Sequence, residues 1–167
     1  MHLHENRYFR LRMEVPGNWH VLLNKELVWF IHDPNMRRAI KEGLCFPLLA
    51  ISKYRPGKPG PKGECNSNIF LSAEKLFMYL PVRIETARDY IEELKKAGMK
   101  FRSKPSVKKV GKIEVWSFDV ATAAVPGDRY AHVVAVRDGF LLRFTLTGES
   151  KADIEELRDI MKSLHFD

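Results

Sequence analysis

Apolar and polar residues alternate from Tyr8 to Val15. Phe9, Leu11, Met13 and Val15 share one side, and Arg10, Arg12 and Glu14 take the other. A period of two is that of a half-buried strand. Pro16-Gly17-Asn18 ends it, and Trp19 is expected to anchor the core after the turn. Leu22–Ile31 is apolar at both periods and fits neither template. Asp33-Pro34 has the form of a helix start, with Asp33 as N-cap and Pro34 in the first turn, where a missing N–H does no harm. Met36, Ala39 and Ile40 supply the apolar stripe and Gly43 the stop. Pro47–Tyr54 reads as a strand buried on both faces through Leu48, Leu49, Ala50 and Ile51. Asn68–Leu76 reads as a second strand, neighbouring the first in the sheet.

Thr86–Ala97 is a helix by three signs: Thr86 caps it with Asp89 three residues on, Ala87, Tyr90, Ile91 and Leu94 form its stripe, and Gly98 ends it. Met99–Ser103 and Lys112–Val120 are expected as strands, the latter alternating through Trp116, Phe118 and Val120. Val125–Asp128 is a turn. Tyr130–Val136 and Phe140–Thr147 flank Asp138-Gly139, a two-residue hairpin signal, because that turn needs positive φ at both central positions. Ser150–Leu164 closes the chain as an amphipathic helix. Ser150 caps it, Asp153 answers, and Ile154, Leu157, Ile160, Met161 and Leu164 lie on one face. Consecutive strands argue against alternating βαβ units. They favour an α+β fold, a central antiparallel β-sheet flanked by helices. At 167 residues the whole chain, 1–167, fits one domain.

One segment stands outside this pattern. Arg55–Glu64 holds three prolines and three glycines in ten residues, which excludes helix and central strand. An exposed loop of this length between two strands is of the kind that is usually either functional or disordered. Tyr54, Arg55, Lys58, Lys62, Asn66 and Asn68 are the candidate contact residues on it.

Hydrophobic content of 45% and charged content of 29% are ordinary for a globular domain. The longest apolar stretch, Leu44–Ile51, is far too short to span a bilayer. The net charge is +7 and the pI about 9.5. That leaves nucleic acid or an anionic surface as an alternative partner, but no run of five like charges marks a binding tail. Cys45 and Cys65 form no CxxC pair. In an exporting compartment they could form a disulfide. In a reducing one Cys45 is a small buried hydrophobe and Cys65 an exposed thiol. No secretory signal is visible; either the protein is cytoplasmic, or an export signal has been removed ahead of Met1.

Candidate chemistry is sparse. GxGxxG, GxxxxGK[ST] and GxSxG do not occur. The loop's prolines remove N–H groups that a phosphate cradle would use. No pair of histidines has ligand spacing on a helix face, so no metal and no cofactor is expected; His2 and His4 alternate at a terminus expected to be mobile. Glu92-Glu93 and Glu155-Glu156 fall on wet helix faces. An enzyme with an unrecognised site would centre on His132 and Asp128. RNA-type interleaving of basic and aromatic residues, as in Arg7-Tyr8-Phe9-Arg10 and Lys53-Tyr54-Arg55, is undercut by Phe9, which shares its strand's apolar side.

Read together, the ends "FRLRMEVPGNW" and "GFLLRFTLTGESKADIEELRDIMKSLHF" resemble the PsbP-like superfamily. That group includes photosynthetic PsbP, the Ran-binding import factor of yeast and small bacterial periplasmic or lipoprotein domains. Shared features are a "φxφxxPxxW" strand and turn at the start, and a hairpin and helix ending in "SLxF", here Ser163–Phe166. The resemblance implies an antiparallel sheet flanked by helices and a non-catalytic binding or assembly role. On this reading no residue is catalytic and the 54–68 loop meets a protein partner. A deep cleft with convergent titratable groups is not expected.

Overall fold

The structure, a computed structural model, describes the chain except residues 24, 28–30, 32, 57–59, 62–65, 80–81 and 122–128, and the side chains of residues 78 and 79. The expected turn at Val125–Asp128, and Cys65, Lys58, Lys62 and His32, lie outside the described residues. Ten strands and three α-helices occur among those described: β1 His2–Asn6, β2 Leu11–Val15, β3 His20–Leu22, α1 Pro34–Lys41, β4 Cys45–Ser52, β5 Asn68–Lys75, α2 Ala87–Lys96, β6 Ser106–Val110, β7 Ile113–Val120, β8 Arg129–Arg137, β9 Phe140–Gly148, α3 Lys151–Met161 and β10 His165–Phe166.

β3 to β9 form one antiparallel sheet in the order β3-β4-β5-β9-β8-β7-β6. As the sequence implies, β4 and β5, which flank the Pro/Gly loop, are neighbours, paired from Cys45↔Glu74 to Ser52↔Asn68 with a bulge between Pro47 and Leu49. The β8–β9 hairpin turns at Asp138 (φ 51°) and Gly139 (φ 81°), the backbone that its Asp-Gly pair favours. Both longer helices carry full capping boxes, Thr86 with Asp89 and Ser150 with Asp153. Asp33 caps α1 with Pro34 at its start. Gly148 lies close against α3: a Cβ there would sit 2.6 Å from the Asp153 Cβ.

Four expectations are corrected. The first strand does not join the central sheet. It begins at Leu11, after a turn whose Arg10 is left-handed (φ 46°), and it forms a separate three-stranded sheet, β1-β2-β10. His2 and His4 therefore sit on a paired strand, not on a mobile end. Met99–Ser103 is not a strand; only Phe101 bridges, to Val120. The strand is β6 instead, paired with β7 through the Gly111 turn. Its polar Ser106, Lys108 and Lys109 hide the period, and an edge strand needs no apolar face. Finally, α3 stops at Met161, and Phe166 pairs back onto Leu11 as β10.

α3 lies against β9, β8 and β2, so it and the small sheet close over one face of the large sheet. Leu49, Ile51, Ile69, Leu71, Leu142, Phe144, Leu146, Leu11, Met13 and Leu157 fill that space. On the other face α2 packs on β7 and β8, and α1 on β4. Here the core is two clusters, Ile84, Tyr90, Ile91, Phe118 and Val134 under α2, and Leu22, Leu27, Ala50 and Phe70 beside α1.

Candidate functional site

Between those two clusters the sheet turns polar. Strand alternation and register place Cys45, Ser72, Glu74, Arg143, Thr145 and His132 on the same face. Above them α1 and α2 leave a cleft of about 440 Å³, lined mainly by apolar side chains such as Met36, Ile84, Tyr90 and Leu94, by the polar Asp33, Asn35 and Glu93, and by Glu74, Arg143 and Cys45. This is the convergence of titratable groups that a non-catalytic binding module was expected to lack, and it corrects that expectation. Its signal was present in the sequence: Glu74 and Arg143 each interrupt an apolar strand in the inward phase, with opposite charge.

The geometry shows what these groups do. Glu74 is only 3% exposed; its carboxylate pairs with the Arg143 guanidinium at 2.5 Å and accepts from the Ser72 hydroxyl at 3.1 Å. A buried ion pair of this kind is tolerated because each charge compensates the other's lost hydration. Burial, and then the nearby Glu74 charge, push the Cys45 thiol up to about 11, so it is no thiolate near neutrality. His132 is half-buried against the Phe118 ring, centroids 5.2 Å apart, with Nδ1 3.3 Å from the Thr145 hydroxyl. Desolvation first, and the positive Arg143 second, hold its pKa down to about 3. A general base working near neutral pH needs a pKa near neutrality, and neither Cys45 nor His132 has one. No trio of His, Cys, Asp or Glu placed to hold a metal occurs among the described residues. The cleft suits an apolar group better than a reacting one.

At one end of the sheet lies the base of the Pro/Gly loop. Tyr54 and Asn66 are brought together there. The Asn66 carboxamide oxygen accepts from the Tyr54 N–H at 2.8 Å, and its amide donates to the carbonyls of Tyr54 at 3.0 Å and Arg55 at 3.4 Å. Asn68 donates to the Asn66 carbonyl at 2.9 Å. The Ser52 hydroxyl donates to the Tyr54 carbonyl at 2.7 Å. The Tyr54 ring lies on the Gly60 backbone so closely that a Cβ at Gly60 would fall 2.2 Å from the ring. Lys53 ties this base to α3 through Glu156 at 2.9 Å. Thus Asn66 and Asn68 are engaged in closing the loop, Tyr54 is half-buried, and Arg55 is exposed. Cys45 is a buried free thiol at the opposite end of β4.

No protein-family model matches the chain, and no curated protein sequence does. Solved structures do. Cyanobacterial PsbP (CyanoP) from Synechocystis sp. PCC 6803 superposes with a TM-score of 0.55 at 12% identity, over 99% of this chain and 92% of that one. LpqN, described as involved in cell envelope biogenesis of Mycobacterium tuberculosis, superposes with a TM-score of 0.50 at 13% identity, over 93% of this chain and 82% of that one. At such identities the likeness is one of fold, and the fold is PsbP-like.

Proposed function

We propose that this PsbP-like domain is a non-catalytic binding or assembly module that meets a protein partner through its 54–68 loop. The observation that carries the reading is the stapled loop base. Asn66 bonds both Tyr54 and Arg55, so the loop is presented from a fixed platform although it is the one long segment that the sheet does not need. Arg55, with Lys58 and Lys62, would supply positive charge to the contact, and Tyr54, Asn66 and Asn68 would hold the loop's shape. The engaged state of Glu74, Arg143, Cys45 and His132 supports binding over catalysis. The envelope role named for LpqN supports an exported or periplasmic setting. No helix among the described residues is long and apolar enough to cross a membrane.

The test replaces residues 56–65 with a short Gly-Ser linker. The variant is expected to fold, with an unchanged melting transition, and to lose the partner captured by the unaltered protein in its source cells. Unchanged capture would place the contact elsewhere.

The cleft favours one further reading, a small apolar ligand seated over Glu74 and Arg143 beside His132. A screen of small apolar molecules by protein NMR checks it. Shifts confined to Met36, Ile84 and Leu94 would support it, and a flat response across the cleft would count against it.

A further inference from the structure

At the end of the sheet opposite the loop, aromatic rings come to the surface. Tyr8 lies in the β1–β2 turn, Phe46 near the start of β4, Phe77 just beyond β5 and Phe140 at the start of β9. Tyr8 is 68%, Phe46 39% and Phe77 54% exposed, and these are the exposed large aromatics among the described residues. They form one chain of contacts. Tyr8 and Phe46 each meet Phe140 edge to face, at 6.1 and 6.0 Å. The Lys75 ammonium sits 5.5 Å from the centroids of both Phe46 and Phe77. Arg7 and Arg10 flank Tyr8 in the turn and are exposed. Contiguous exposed apolar surface of this kind marks an interaction site, and aromatic rings mixed with cations match the boundary between lipid tails and anionic headgroups.

We propose that this hairpin end docks on an anionic lipid bilayer surface, with Tyr8, Phe46 and Phe77 entering the headgroup layer and Lys75, Arg7 and Arg10 meeting lipid phosphates. Charge and polarity choose the occupant. A peptide would bring backbone N–H and C=O groups that need partners. The shallow pocket here is lined by Tyr8, Phe9, Phe46, Leu48, Ala73 and Phe140, with the Asn6 amide and the Tyr8 hydroxyl as its polar side-chain groups. The Asn6 side-chain oxygen already accepts from the Phe9 N–H at 3.1 Å. A lipid surface makes no such demand, and it supplies the negative charge that the three cations and the net charge of +7 complement. Docking in this way turns the 54–68 loop away from the bilayer by the length of β4 and β5, roughly 25 Å. The domain would then hold its loop out toward a protein partner. That last step rests on the loop reading above; the docking itself does not.

Co-sedimentation with vesicles of phosphatidylcholine mixed with phosphatidylglycerol, at low salt, tests it. The protein is expected to pellet with these vesicles, to be released by added salt, and to ignore pure phosphatidylcholine. Lys75→Glu is expected to lower the partition about thirtyfold, as reversal of one interfacial charge, and Phe77→Ser about tenfold. Both side chains are at the surface, and an unchanged melting transition verifies folding. The linker variant lacking residues 56–65 should bind vesicles as the parent does, which separates failure of docking from failure of the loop reading. Lys151→Glu, which makes the same charge change at the start of α3, at the loop end of the sheet, should have little effect. Absence of binding at low salt overturns the proposal. So does equal loss from Lys151→Glu and Lys75→Glu, which would mean adsorption by net charge alone. Capture of an acidic aromatic peptide without vesicle binding would also overturn it.

Discussion

Under α3 the large sheet presents Ile69, Leu71, Leu142, Phe144 and Leu146 in unbroken apolar rows. Under α1 and α2 the rows are split by Ser72, Glu74, Arg143, Thr145 and His132. The same strands make both faces, so local propensity cannot account for the difference. The first face holds by shape and area alone. The second contains charges that must satisfy one another, and it keeps a cleft where the two helices fail to meet. The contrast teaches that the first face defines the fold, and that the second is where this chain departs from what folding needs.

The largest expected effect is on the apolar face. Phe144→Ala empties a fully buried site and should cost about 4 kcal/mol in chemical denaturation. On the polar face, Arg143→Met strands the buried Glu74 carboxylate and should cost about 3 kcal/mol. There the two faces diverge: adding Glu74→Met to that variant should recover most of the loss, because the pair compensates itself, whereas a second truncation beside Phe144 can only add to it. A double-mutant cycle that shows no recovery would erase the distinction. The smallest effect belongs to the element closing the apolar face. Ser150→Ala removes the α3 cap, whose hydroxyl accepts from the Asp153 N–H at 3.0 Å, and should lower stability by about 1 kcal/mol in thermal melts.

The apolar face was legible because its signals are local. The period of β2, the Asp138-Gly139 turn, and the caps at Asp33, Thr86 and Ser150 each act within a few residues, and each forms as expected. β6 was not legible, since an edge strand of Ser106, Lys108 and Lys109 has no apolar phase to read. Nor was the second sheet, because the pairing of Phe166 with Leu11 joins the two ends of the chain and leaves no trace in either. The polar face was the least visible. Glu74 and Arg143 lie far apart in sequence, and only the pairing of β5 with β9 makes them partners. At the loop, the sequence indicated an exposed Pro/Gly segment. It did not indicate that Asn66 and Gly60 lock its base, Asn66 through the Tyr54 backbone and Gly60 beneath the Tyr54 ring.

The reading of the polar face as a binding rather than a catalytic surface depends on its titratable groups being engaged rather than reactive, and His132, beside the cleft, reports on it most directly. Its depressed pKa means that the folded protein resists a proton the unfolded chain accepts. The resulting stability is complete above the ordinary value of 6.5 and is lost as pH falls from there toward about 3. An NMR titration of the His132 imidazole measures the group itself. The account predicts a neutral ring whose shifts stay flat from about pH 8 down to about pH 5, with any protonation coming only in more acid solution. A midpoint between about 6 and 7 would mean a solvated, protonatable base at the edge of the cleft, poised for catalysis, and would contradict it.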